Sequence, residues 1–504
     1  MGSIKQLASQ TFIYGLSSIV GRLLNYLLVP FYTRVFSTDE YGTVTEMYTY
    51  VTFLMIFLTY GMETGFFKFS KTEQDQDKLY STTFLSLLTT SSIFIALGLF
   101  FSPQIAEYLH YSDHVYYISF FILILGVDAL TAIPFARLRQ QNKAIKFAVF
   151  KLINISVNIF CNLFFILWLP KLAENYSAFN SIYDPEMGVG YIFLSNLIAS
   201  GLTLVMFIPD LLKVKFKFSF ALLKMMLIYS LPLLVSGLAG QINEFFDRIS
   251  INMFYTIPDG VVDGNQYKLS MLGIYGANAK IAVFMTLFIQ CFRYAADPFF
   301  FSSQGQSNFN QLFANVNKYL LAFGLFIFLF IICYLDLFKY FIGQQFWEGL
   351  QVVPMLLFGH LLVGLIYLQS FWYKLKFLTH YGIIIFLIGS VITIVLNILL
   401  VPVWGYMACA FANNMCYLIM LIITFVWGRK HLPCDYDFKS MALYFGLAVA
   451  LYAATFFTAE LSTFVKFSLN TVLLIIFVSI VFRREKLAEP LLNLITLFWL
   501  RRKK

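Results

Sequence analysis

Apolar segments about 20 residues long recur along the whole chain and are separated by short polar connections. About 20 apolar residues in a helix cross the hydrocarbon core of a bilayer. We place 14 such segments at 10–33, 43–66, 80–101, 115–136, 146–169, 189–208, 222–255, 272–300, 318–335, 351–372, 380–400, 404–427, 440–457 and 465–482. The pattern predicts an all-α polytopic membrane protein with about 14 transmembrane helices, followed by a basic tail at 483–504 that lies in the cytoplasm or on the membrane surface.

One apolar segment, 275–301, is long enough to span a membrane and still carries charged residues. A charged side chain at the centre of a bilayer costs roughly 2.5–3.5 kcal/mol on insertion scales. At helical spacing Lys280, Gln290 and Asp297 fall on one stripe, and Arg293 lies beside it. This stripe is therefore predicted to face a water-filled cavity or a protein partner.

The same segment resembles residues 41–67, which align with it without a gap at an offset of 234 positions. Both begin with Tyr-Gly and end with Phe-Phe, and Glu63 falls on Asp297. A chance likeness of two apolar helices is the alternative explanation. Weak repeats between halves are common in transporters and indicate a site at the repeat interface. We predict a first lobe at 1–212 (helices 1–6), a second lobe at 213–430 (helices 7–12), related by a pseudo-twofold axis along the membrane normal, and two further helices at 431–482.

The distribution of basic residues predicts the orientation. With a cytoplasmic N-terminus, 25 of the 35 Lys and Arg residues fall on the cytoplasmic side, 5 on the opposite side and 5 inside helices. Such a bias indicates that both termini are cytoplasmic. It also accounts for the formal net charge of +9 without a nucleic-acid partner. Anionic membrane lipids are expected partners.

Polar and charged residues within the predicted helices are the candidate functional residues, and they concentrate in helices 1, 2, 7 and 8. The cations among them suit an anionic substrate, because arginine matches phosphate oxygens well. The candidates for binding the substrate's diphosphate are Arg22, Arg248, Lys280 and Arg293. The further candidates for the cavity or for ion coupling are Asn25, Glu46, Glu63, Asp128, Lys151, Glu244, Asp247, Gln290 and Asp297.

Several of these residues also have a simpler interpretation. Lys151 lies about two turns from the inner face, so its side chain can extend to the interface. Asp247 and Arg248 can form a structural pair, and Glu63 and Asp297 lie near inner helix ends where headgroups are within reach.

Sequence signals of an enzyme are absent. The chain contains neither the GxxxxGK[ST] loop of an ATP site nor HExxH, and its cysteines and histidines are scattered. We therefore expect a transporter without a cofactor or metal, and six free cysteines. A proton or sodium gradient is a candidate driving force, with Glu63, Asp128, Glu244 or Asp297 as the coupling carboxylate.

Four stretches, 27–42, 60–70, 229–251 and 272–301, resemble the polysaccharide-biosynthesis flippases. These are O-antigen or oligosaccharide-lipid exporters of the multidrug/oligosaccharidyl-lipid/polysaccharide superfamily. The resemblance implies two six-helix lobes around a central cavity lined by helices 1, 2, 7 and 8. It implies that an undecaprenyl-pyrophosphate-linked oligosaccharide, such as an O-antigen unit of lipopolysaccharide or a capsule unit, crosses the bacterial inner membrane by alternating access. The family's cavity cations would correspond to Arg22, Arg248, Lys280 and Arg293, and polysaccharide polymerases would be partners.

Three alternatives stay open at this point. One is a drug/cation antiporter of the same superfamily, which predicts a mainly acidic cavity. Another is a flippase for lipid II. The third is a membrane-embedded transferase or polymerase, which would need a larger outside loop than the longest one here, 170–188.

Overall fold

The protein is described by a computed structural model that covers residues 20–21, 23–214, 217–303, 305–458 and 460–485. Within these ranges every regular secondary-structure element is a helix, and there is no β-strand. The α-helices are α1 (Val29–Val35), α2 (Thr38–Thr59), α3 (Met62–Phe69), α4 (Gln76–Phe100), α5 (Ser102–Tyr108), α6 (Val115–Gln140), α7 (Ala144–Leu163), α8 (Leu169–Asn175), α9 (Gly190–Leu211), α10 (Phe220–Phe254), α11 (Gly264–Ser303), α12 (Phe309–Cys333), α13 (Leu335–Phe338), α14 (Val353–Gln369), α15 (Phe371–Leu375), α16 (His380–Trp404), α17 (Tyr406–His431), α18 (Phe438–Phe457) and α19 (Thr463–Arg484).

Thirteen helical segments of the described chain are long and apolar enough to cross a membrane. They coincide with the second to fourteenth predicted segments, so the prediction of a polytopic helical membrane protein is confirmed. The first predicted segment, 10–33, belongs to the described residues only from residue 20 onward, without residue 22, and the tail lies outside them beyond residue 485. None of the six cysteines, which all belong to the described part, forms a disulfide.

Helix boundaries follow local capping chemistry. Ser37 begins α2 with a reciprocal pair of bonds: its hydroxyl accepts from the Glu40 backbone N–H at 3.4 Å, and Glu40 Oε2 accepts from the Ser37 N–H at 2.8 Å. Asp75 and Asp437 cap α4 and α18 through the N–H groups three residues on. Such caps satisfy the free N–H groups at a helix start.

The structure differs from the predicted elements in two places. Segment 43–66 is broken, because Tyr60 and Gly61 adopt positive φ values of 32° and 71° and separate α2 from α3. The predicted loop 256–271 is shorter than expected, since α11 already begins at Gly264. The polar composition of 264–271 hid this helical extension from hydropathy.

The chain forms two compact units, one of residues 1–277 and 390–409 and the other of 278–389 and 410–504. Within the first unit α2 approaches α11 closely at glycines. A Cβ atom added at Gly273 would lie 1.9 Å from the Thr38 carbonyl oxygen, and one at Gly42 would lie 1.9 Å from the Leu269 carbonyl oxygen. The contact therefore requires glycine at both positions. These two units do not test the predicted lobe boundaries at 212 and 430, which stay a prediction.

Candidate substrate-binding groups

In the first unit, α10 carries a buried carboxylate, Asp247, that accepts hydrogen bonds from the next residue of α10 and from a tyrosine of α11. Asp247 is 1% exposed, and its Oδ1 accepts from Arg248 Nη1 at 3.2 Å and from the Arg248 backbone N–H at 2.8 Å. Its Oδ2 accepts from the Tyr275 hydroxyl of α11. Arg248 also donates to the Glu244 carbonyl at 3.0 Å, and its guanidinium lies 4.7 Å from the Phe245 ring centroid. We call Asp247, Arg248 and Tyr275 the Asp247 cluster.

A seam of neutral polar groups continues the Asp247 cluster towards α16 and α17. Ser250 Oγ lies 2.7 Å from the Asp247 carbonyl oxygen and 2.9 Å from Asn397 Oδ1, and its single proton is donated to one or the other of these acceptors. Cys409 Sγ lies 3.4 Å from the Asp247 carbonyl oxygen. Sequence reasoning missed Asn397 and Cys409, because single polar residues in apolar helices carry no signal of what they face. The buried Asp247 carboxylate, its half-buried partner Arg248 and their hydrogen-bonded neighbours favour the structural interpretation of Asp247 and Arg248.

In the second unit, four polar side chains meet on α11, α14 and α15. The Arg293 guanidinium lies 4.3 Å from the Tyr367 ring centroid, and Lys374 Nζ lies 4.1 Å from the same ring. The Tyr367 hydroxyl donates to Asp297 Oδ1. Arg293 and Asp297 are exposed, and neither forms an ion pair with another described residue. We call these four residues the Arg293 cluster.

The Arg293 cluster brings together two cations and one carboxylate, which leaves an excess of one positive charge. Cations over an aromatic face are held in place while their N–H donors stay available. Arg293 and Asp297 were predicted as site residues, whereas Lys374 and Tyr367 were not. Lys374 lies two residues beyond the predicted segment 351–372, although its spacing of seven residues from Tyr367 places both on one helical face.

Two predicted residues lie between these clusters in sequence, on α11. Lys280 is half-buried. Gln290 Oε1 is buried without a hydrogen-bond partner among the described residues. A buried amide oxygen without a donor is costly, so this atom is available to a donor from a ligand or a water.

The predicted carboxylates of the first unit have diverse partners. Glu46 is 7% exposed and accepts from three neutral donors, Tyr50 at 2.7 Å, Tyr111 at 2.5 Å and Asn252 at 2.7 Å. Glu63 is paired with Arg139, which lies between the predicted segments 115–136 and 146–169. Glu46 therefore links α2 to α10 and to the connection before α6 through hydrogen bonds to neutral groups. Glu63, by contrast, forms an ion pair.

The remaining predicted residues are scattered. Asp128 is half-buried and interacts electrostatically with Lys151, whose Nζ lies 4.2 Å from the Phe135 ring centroid. Asn25 and Glu244 are exposed. Arg22 lies outside the described residues. Whether the thirteen candidates line one cavity stays a prediction.

The sequence matches the model of a protein family described as "Polysaccharide biosynthesis protein" over residues 7–304. That match covers more than half of the chain. The chain belongs to the polysaccharide biosynthesis protein family. The resemblance inferred from the sequence is thereby confirmed. A search of curated protein sequences found no match.

Solved structures support the same fold. The lipid II flippase MurJ in an inward closed conformation is 15% identical, with a TM-score of 0.72, over 94% of this chain and 99% of MurJ. An inward-facing multidrug resistance MATE family transporter of the MOP superfamily is 14% identical, with a TM-score of 0.59, over 84% of this chain and 98% of the transporter. A MATE structure in the straight conformation is 15% identical in sequence, with a TM-score of 0.59, over 85% of this chain and 96% of the MATE chain. This member of the polysaccharide biosynthesis protein family is thus a multi-pass helical membrane protein that shares the fold of these solved structures.

Proposed function

We propose that this protein moves an undecaprenyl-pyrophosphate-linked oligosaccharide from the inner to the outer leaflet of the bacterial cytoplasmic membrane by alternating access. Membership of the polysaccharide biosynthesis protein family supports a lipid-linked glycan as cargo. The observation that carries the proposal is the Arg293 cluster, where two cations meet on membrane-spanning helices and one carboxylate offsets only part of their charge.

The chemistry of the Arg293 cluster fits a diphosphate. Arg293 presents a planar fork of N–H donors to two phosphate oxygens, and Lys374 adds a point charge. Tyr367 occupies Oδ1 of Asp297 with its hydroxyl, which limits the competition of that carboxylate for Arg293. Lys280 would supply a further positive charge on the same helix. Arg248 contributes less in this proposal, because Asp247 offsets its charge.

A transport assay tests this proposal. The purified protein is reconstituted in proteoliposomes, and flipping of a labelled lipid-linked oligosaccharide is measured. We expect Arg293→Ala combined with Lys374→Ala to slow flipping at least tenfold, since loss of charge-assisted bonds to a phosphate is worth roughly 1.5–3 kcal/mol. The matched control is Lys376→Ala, which removes an exposed cation two residues from Lys374 and should change the rate less than twofold.

The same assay separates the other cargoes and the energy source. Preferred flipping of lipid II, or uptake of small cationic drugs without flipping, would contradict an oligosaccharide carrier. We propose cation coupling through Glu63, Asp128, Glu244 or Asp297. Collapse of the proton and sodium gradients should then slow flipping, and an undiminished rate would leave flipping driven by substrate alone.

A further inference from the structure

Basic residues also line a cavity in the first unit. None of the described residues that line it belongs to the Asp247 cluster or to the Arg293 cluster. The cavity has a volume of about 140 Å³ and lies at the ends of α4, α6 and α9. Tyr80, Arg137, Lys143, Asp210 and Lys213 are among the residues that line it. A water molecule takes about 30 Å³ of liquid volume, so the cavity has room for a group larger than water.

The charges around this cavity do not cancel. Asp210 pairs with Lys146 at 2.5 Å, which lies outside the lining, and Arg137 pairs with Asp77 at 2.9 Å. Lys143 and Lys213 are exposed, and neither pairs with a described residue. Two positive charges are therefore left at the rim.

Arg137 is held in a fixed position on the cavity wall. Its guanidinium lies 4.1 Å from the Tyr80 ring centroid in addition to its bond to Asp77. Tyr80 and Phe207 also line the cavity and are 2% and 1% exposed. A guanidinium group held in one position beside buried aromatic side chains is suited to bind a phosphate group.

Exposed apolar side chains flank the same rim. Leu212, adjacent to Lys213 in the chain, is 80% exposed, and Ile145, two residues from Lys143, is 73% exposed. In a membrane protein such side chains face lipid, and helix ends with basic residues lie at the headgroup level. The cavity thus combines a cationic hollow with an apolar border.

We propose that this cavity binds the phosphate of an anionic phospholipid headgroup, with the acyl chains of that lipid against Leu212 and Ile145. Lys143 and Lys213 attract the phosphate and Arg137 fixes it. The bound lipid is a membrane component and is distinct from the lipid-linked oligosaccharide assigned to the Arg293 cluster.

Lipid binding to the full-length protein in detergent tests the site. The probe is short-chain phosphatidylglycerol, and affinity is measured by native mass spectrometry at low salt. We expect Lys143→Gln combined with Lys213→Gln to weaken binding roughly ten- to thirtyfold, given the usual contribution of each basic residue near an anionic lipid. The control, Lys71→Gln with Lys439→Gln, removes two other exposed lysines from the same predicted membrane side and should stay within twofold.

Three outcomes would overturn the proposal. One is unchanged affinity of the Lys143/Lys213 variant, and another is an equal loss in the control variant, which would indicate a general effect of charge. The third is displacement of the lipid by an equal concentration of inorganic phosphate, which would indicate a site for a free anion. Resistance to a hundredfold excess of phosphate supports the lipid. No oligosaccharide substrate takes part, so either result leaves the flipping assay independent.

Discussion

The Asp247 cluster and the Arg293 cluster contain the same kinds of residues in opposite surroundings. Each has an arginine, an aspartate and a tyrosine on membrane-spanning helices. Asp247 is 1% exposed and bonded on both oxygens, whereas Arg293 and Asp297 are exposed and form no ion pair within the described chain. A buried charge is costly unless it is paired and hydrogen-bonded, whereas an exposed charge is accessible to a ligand. The comparison therefore separates an ion pair whose partners lie within the fold from the cluster that we propose as a binding site.

The largest effect on stability is expected from removing the buried carboxylate of the Asp247 cluster, and the exposed carboxylate of the Arg293 cluster is its comparison. Asp247→Ala leaves Arg248 without its ion-pair partner and should lower the free energy of unfolding by about 3–5 kcal/mol. Asp297→Ala should lower it by less than about 1 kcal/mol, because that carboxylate is exposed. Thermal and denaturant unfolding in detergent, followed by intrinsic fluorescence, measures both. Equal losses would abolish the distinction between the clusters.

A smaller effect is expected from the packing that holds Tyr275 in the Asp247 cluster. A Cβ atom at Gly273, two residues away, would collide with the Thr38 carbonyl, so Gly273→Ala should cost about 1–3 kcal/mol of unfolding free energy. Gly240 has no atom within 4 Å of the corresponding position. Gly240→Ala is therefore the matched control and should be neutral or stabilising by up to about 1 kcal/mol. A tolerated Gly273→Ala would contradict the close approach of α2 and α11.

The smallest effect concerns the carboxylate of Asp336, which lies outside the membrane-spanning helices and pairs with Lys339 and Lys466. Its removal measures what an accessible ion pair contributes to stability. Burial acts to raise the pKa of Asp336, but Lys466 and Lys339 outweigh it and hold this pKa below its ordinary value. Its stabilising contribution is therefore present at neutral pH and is lost as the pH falls through the lowered pKa. The carboxylate is 37% exposed, so the contribution should be under about 1 kcal/mol.

Unfolding temperatures recorded from pH 7 to pH 3 check this contribution. The wild type should lose slightly more stability over this range than Asp336→Asn, which has no carboxylate to protonate. Identical pH profiles would show that the pair contributes nothing measurable.

Most of the fold could be predicted from the sequence, because the length of an apolar run is set directly by bilayer thickness. All thirteen described spans fall on predicted segments. The break at Tyr60 and Gly61 could not be predicted, since positive φ at a tyrosine has no local signal in an apolar run. The start of α11 at Gly264 could not be predicted either, because residues 264–271 are mostly polar and hydropathy does not detect polar helical turns.

The candidate site was predicted only in part. Hydropathy identified Arg293 and Asp297 because charges are rare in apolar segments. Lys374 and Arg139 were hidden because they lie at helix ends, where cations are ordinary. Which charges are neutralised depends on tertiary contacts, as with Arg248, and a single sequence does not encode those contacts in any local pattern.

The most direct test of the central claim is the affinity of the protein for an undecaprenyl-pyrophosphate-linked oligosaccharide. Native mass spectrometry compares the wild type, Arg293→Ala combined with Lys374→Ala, and Lys376→Ala. We predict that the double variant binds at least tenfold more weakly while it unfolds within about 1 kcal/mol of the wild type, and that Lys376→Ala binds normally. Unchanged affinity in a folded double variant would contradict the claim that the Arg293 cluster holds the diphosphate.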